Sequence, residues 1–107
     1  MTDLEISKAL ALAIGWREDQ IIEYEDQDYI GLPVVINRPA VRMFSYKAWN
    51  VIGPIAERYD AFPLTSDSRP GVWFTRVRNQ NRIGVPFTYA DTPQKAIAMA
   101  VINGAKK

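Results

Sequence analysis

Val72-Trp73-Phe74-Thr75-Arg76-Val77-Arg78 is the stretch that decides the fold. Aromatic and β-branched residues fill it, the composition of a strand packed against other elements. Alternation places Trp73, Thr75 and Val77 on one face and Phe74, Arg76 and Arg78 on the other. Apolar side chains thus occur on both sides, as a strand with two covered faces requires. Asn79-Gln80-Asn81-Arg82 turns the chain, and Val85 to Tyr89 reads as the partner strand, its start weakened by Pro86.

Helical patterns surround this hairpin. Downstream, Thr92 is placed as a cap, Pro93 as the first helical residue, and Ala96, Ile97, Ala100 and Val101 as an apolar face. Gly104 is expected to stop that helix, with Lys106 and Lys107 beside its carbonyl end. Upstream, the run from Thr65 to Gly71 has turn-forming composition. Before it, Ser45 is expected to cap a helix whose Trp49, Ile52, Ile55, Ala56 and Tyr59 share a face. Gly53-Pro54 interrupts this pattern, so the helix either kinks there or restarts with Pro54 at its first position. Trp49, Tyr59 and Phe62 are assigned to the core.

At the start, Thr2-Asp3-Leu4-Glu5 has capping-box spacing, and Ile6, Ala9, Leu10, Ala13 and Ile14 follow at helical intervals. Gly15 ends this helix and Trp16 folds back on the core. Between Gln20 and Asn37, Ile22 and Tyr24 alternate with Glu23 and Glu25 as a strand would, with the acids at a hairpin-like tip. Pro33 and Pro39 restrict any strand nearby to an edge or a short piece. The order helix, strands, helix, strands, helix describes one α+β domain over residues 1–107, an alpha-beta-alpha sandwich with a small antiparallel sheet covered by helices.

The residue inventory narrows the chemistry. Among 107 residues there is no Cys and no His, which removes thiolate nucleophiles, Cys or His metal sites, imidazole acid–base catalysis and the Ser-His-Asp triad. A protein without enzymatic activity and without a cofactor is therefore expected. Met1 to Ile6 lack a basic leader, and the apolar run Ala9 to Trp16 falls short of the roughly 20 residues that cross a bilayer. A cytoplasmic protein with no membrane partner is expected.

Net charge is +1, but it is divided unevenly. Residues 1–60 carry ten acidic and six basic side chains, whereas residues 61–107 carry two acidic and seven basic. The two halves either neutralise one another or form two surface patches. As patches, the acidic one centres on Glu18, Asp19, Glu23, Glu25, Asp26 and Asp28, and the basic one on Arg69, Arg76, Arg78 and Arg82. Asp26-Gln27-Asp28 lacks the further oxygen ligands, turn glycine and terminal Glu of an EF-hand loop, so no metal site is assigned. The candidate partner or ligand surface is Glu23, Glu25, Asp26, Asp28, Arg69, Arg76, Arg78 and Arg82.

Phe44 to Tyr59, with its Trp followed by a Gly-Pro-Ile block and a charged helix end, resembles a segment of NinX-like phage proteins. Thr92 to Ala100 is similar to their capped C-terminal helix, and Asp3 to Trp16 to the start of the related phage ABA-sandwich domain. These stretches cover about 40 of the 107 positions and are structural in kind. The resemblance implies a small accessory protein of a tailed bacteriophage, made in the bacterial cytoplasm, and brings no catalytic residues with it.

Three functions follow as expectations. The first is a non-enzymatic binder that modulates a bacterial host or defence protein, steered by its charged halves. Another is nucleic-acid binding in phage recombination or replication, with Arg76, Arg78 and Phe74 joined by Arg69 and Arg82. The bland reading of the same residues buries Phe74 under a helix and pairs the arginines with acids. A third is capture of a nucleotide-like anion by Arg76, Arg78, Tyr46 and Trp73, a pocket that calls for a subunit interface and hence a homo-oligomer.

Overall fold

A computed structural model of the chain describes residues 2–24, 26–33, 41–68, 70–77 and 87–105. Helix α1 spans Asp3–Ala13, and Thr2 caps it: its hydroxyl accepts the Glu5 N–H while the Glu5 carboxylate accepts the Thr2 N–H. The helix closes as expected, with Gly15 at φ +113°. Gly15 donates to the Leu12 carbonyl and Trp16 to that of Ala11, the paired bonds of a Schellman motif. Trp16 is thereby turned back against the core.

Strands β1 (Ile22–Glu23), β2 (Ile30–Pro33) and β3 (Val41–Phe44) form one antiparallel sheet in that order. Asp26 and Asp28 occupy the β1–β2 hairpin tip, as expected of the acids there. Pro33 is tolerated although β2 is central, because β1 reaches only as far as Gly31 and leaves the end of β2 at an edge.

Helix α2 runs Trp49–Tyr59 without a break at Pro54. Asn50 and Pro54 are both exposed, so the ladder bond that Pro54 cannot make lies on the solvated side. Ser45 does not cap this helix, contrary to expectation. The residue before it is Ala48, and Ser45 instead organises a preceding turn, its hydroxyl accepting the Lys47 N–H and its carbonyl the Ala48 N–H. Trp49 is correspondingly displaced from the core face and is 54% exposed. Asp60 ends the helix at φ +50°, where Ala61 donates to the Ala56 carbonyl and is itself buried.

Strands β4 (Leu64–Thr65), β5 (Trp73–Thr75) and β6 (Thr88–Ala90) make a second antiparallel sheet with β5 in the middle. The expected antiparallel partner of β5 is present, with Trp73 opposite Ala90 and Thr75 opposite Thr88; Val85, Pro86 and the turn read at Asn79 to Arg82 lie outside the described residues. Helix α3 (Pro93–Ala105) begins as read, with the Thr92 hydroxyl accepting the Lys95 N–H. It continues through Gly104 rather than stopping there, and Gly104 is buried.

The α+β class is as expected, with the strands divided between two sheets. Helix α3 holds the layers together. Ala96, Ile97, Ala98, Ala100, Val101 and Ile102 are all buried, an arc far wider than the single stripe of a surface helix. Its partners are α1 and α2 on one flank and β5 and β6 on the other. Ile6, Leu10, Ile30, Phe44 and Ile52 complete one contiguous core.

Candidate functional site

The inner side of β5 is sealed: Thr75 and Val77 are buried, and the Thr75 hydroxyl donates to the Phe62 carbonyl at 3.0 Å. That bond anchors the Phe62 backbone while its ring, assigned to the core from sequence, stays 53% exposed. The outer side differs. Leu64, Phe74 and Tyr89 lie directly opposite one another across β4, β5 and β6 and form one row. Phe74 meets Phe87 edge-to-face at 5.3 Å and lies tilted against Tyr89 at 5.8 Å, geometries that stabilise aromatic pairs. The Arg76 guanidinium sits 4.8 Å from the centre of the Phe87 ring. Leu64, Phe87 and Tyr89 all face solvent. Phe74, whose bland reading placed it beneath a helix, is instead the centre of this outward row, and Arg76 has no carboxylate partner among the described residues. At one end Thr65, Ser66, Asp67 and Ser68 form a polar rim, enclosing with Phe74 and Tyr89 a shallow cavity of about 550 Å³.

The acids of the first half are treated in the opposite way. Lys8 pairs with Glu23 at 3.3 Å and Glu18 at 3.6 Å, Arg17 with Asp19 at 3.3 Å, and Lys47 with Asp28 at 3.2 Å and Asp3 at 2.5 Å. Among the described residues these ion pairs all lie within residues 1–60, and Lys95 adds a weaker charge interaction with Asp3 from the second half. Tyr46 adds a donor: its hydroxyl gives a 2.5 Å hydrogen bond to Asp3, and its backbone N–H bonds the buried Ser7 hydroxyl. Lys47 first and Tyr46 second hold the Asp3 carboxyl below its usual value of 3.8. Burial and the bond to Asp3 push the Tyr46 phenol up to about 12. Asp3 and then Asp28 raise Lys47, and Glu23 raises Lys8.

Of the residues singled out from sequence, Glu23 and Asp28 are therefore ion-pair partners within the fold, and Asp26 is an exposed tip residue at φ +62°. Arg76 lies on the aromatic face. Glu25, Arg69, Arg78 and Arg82 lie outside the described residues. Of the four residues expected to line a nucleotide pocket, Arg78 lies outside the described residues, Tyr46 is buried with its hydroxyl on Asp3, and Trp73 lies on the opposite side of the strand from Arg76. Leu64, Phe87 and Tyr89 were not identified from sequence. Alternation of Phe87 and Tyr89 was the available signal, but their alignment with Phe74 depends on a register that sequence alone does not fix.

Among the described residues there is no cluster of three acidic, Cys or His side chains fit to hold a metal, and no helix long and apolar enough to cross a membrane. No family model, curated protein or solved structure matches the chain.

Proposed function

We propose that the protein is a non-enzymatic binding module whose partner, a bacterial host or defence protein, docks on the outer face of β4, β5 and β6. The observation that carries this reading is the solvent-facing row of Leu64, Phe74 and Tyr89, extended by Phe87 and Arg76. Exposed contiguous apolar surface on a small domain marks interaction sites, and aromatic and Arg side chains are the groups that dominate binding energy at protein interfaces. The polar rim at Thr65 to Ser68 supplies the surround such a centre has. Residues 61–107 hold two acids against seven bases, which favours an acidic partner surface. The phage setting and the bacterial cytoplasm rest on the resemblance of the helical segments alone.

A second reading has a specific observation in its favour: aromatic rings with an adjacent Arg suit stacking of single-stranded nucleic acid. One experiment separates the two. Tagged wild-type protein and a Phe87→Ser, Tyr89→Ser variant are used to capture material from nuclease-treated bacterial lysate, and both are titrated with a fluorescent oligothymidine. A protein retained after nuclease by the wild type and lost by the variant is the expected result. Saturable oligothymidine binding that Arg76→Glu abolishes, with no specific protein captured, overturns it in favour of nucleic acid.

A further inference from the structure

A second cavity lies away from the aromatic face, between the end of α1, the inner side of β2 and β3, and α2. Its volume is about 350 Å³, within the range of small-molecule sites. Trp16, Leu32, Phe44, Val51 and Ile55 form its apolar walls. Arg42 breaks the pattern of the sheet that forms one wall. It lies directly opposite Leu32 and two residues from Phe44, so the pleat puts it on the face that buries Ile30, Leu32 and Phe44, where unlike those three it is exposed and forms that face's solvent edge. Alternation calls for an apolar residue at this position. The arginine there has no carboxylate partner among the described residues, although Lys8, Arg17 and Lys47 all have one.

The facing wall is polar at one place only, and for a backbone reason. Asn50 and Pro54 both line the cavity and stand one helical turn apart on α2. Pro54 has no N–H to give to the Asn50 carbonyl, so this wall presents an acceptor lacking its usual helical donor, together with the Asn50 side-chain amide. An apolar cleft with one free guanidinium and one amide at its polar end matches a ligand of the same pattern.

We infer that this cleft binds a small amphipathic carboxylate, with its apolar body against Trp16, Leu32 and Phe44 and its carboxylate on Arg42. A guanidinium offers paired donors to a carboxylate, and because Arg42 and Asn50 are both exposed that contact forms at the solvent-facing mouth of the cleft while the apolar body lies inward. Cationic amphiphiles of the same length are repelled, and neutral ones lose the head-group contact.

The test uses the intact chain and heteronuclear NMR, following the Trp16 indole and the amides of Leu32, Phe44 and Val51. Decanoate is the probe, below its micellar range, with decanol and decyltrimethylammonium as comparisons. The expected result is a saturable shift with decanoate, at least tenfold weaker affinity for decanol and no response to the cation. Arg42→Gln lowers decanoate affinity to the decanol level, and Arg42→Lys retains part of the difference. Equal responses to all three amphiphiles, no saturable response to decanoate, or a decanoate affinity unchanged in Arg42→Gln overturns the inference. The aromatic row is on the other sheet, so protein capture by Arg42→Gln remains at the wild-type level whichever way this test falls.

Discussion

Sheet β1–β2–β3 and sheet β4–β5–β6 each have three antiparallel strands, yet among the described residues the ion pairs of Lys8 and Lys47 gather around the first, where Arg42 alone of the strand residues carries an unpaired cation. Around it, Lys8 and Lys47 hold Glu23, Asp28 and Asp3, and Tyr46 ties the same cluster to α1. Around the second sheet, Arg76 leans on Phe87, and Leu64, Phe74 and Tyr89 stand outward. Polar groups that are paired internally have less to offer a partner, whereas uncovered aromatic area gains free energy when something covers it. The contrast divides the molecule into a structural clasp and the face proposed above for a partner.

The largest effect is expected where α3 joins the other two helices to the second sheet. Ile97 is fully buried on α3, and Ile97→Ala should lower stability by about 2–5 kcal/mol in urea denaturation. A loss under about 1 kcal/mol would mean that α3 does not join the layers. Next comes the clasp. Ser7→Ala removes the acceptor of the Tyr46 N–H in a buried setting and should cost about 1–3 kcal/mol. Tyr46→Phe deletes only the hydroxyl bond to Asp3, whose carboxylate keeps Lys47, and should cost about 1 kcal/mol.

The pH dependence sharpens the same contrast. Asp3 has a lowered folded-state value, so its contribution is complete above pH 3.8 and is lost as pH falls through that lower value. Asp3→Asn should flatten the acid limb of a stability–pH curve. Tyr46 has a raised value, so its contribution is complete below pH 10.0 and is lost as pH rises through about 12. Tyr46→Phe should remove that part of the alkaline limb and leave the part due to Lys47, which is raised in the same sense. On the open face the effect on folding is smallest. Tyr89→Ser should change stability by less than about 0.5 kcal/mol while weakening partner capture, because the ring is 57% exposed. A loss as large as that of Tyr46→Phe would show that the outward row holds the fold together.

Local chemistry explains what was readable in advance. Thr2 with Glu5, and Thr92 with Lys95, are contacts three residues apart, so their spacing in sequence is their spacing in space. Gly15 and Trp16 were legible for the same reason. Ser45, Trp49 and Gly104 were misread where several local solutions compete. Ser45 can serve a turn as well as a helix cap, Trp49 leaves the core when the helix starts later, and Gly104 extends a helix whose burial outweighs the entropic cost of glycine.

By itself the sequence determined the α+β class, three helices with two of their caps, the strand at Trp73 to Thr75, and a chain stripped of His and Cys. Those properties follow from periodicity, nearest neighbours and composition. Tertiary structure alone decided that Lys47 would bind Asp3 and Asp28, that Arg42 would end an apolar sheet face, and that Leu64, Phe74 and Tyr89 would align and face outward. Each of these depends on strand register or on which side of an element is covered, and both are set by contacts between residues far apart in the chain.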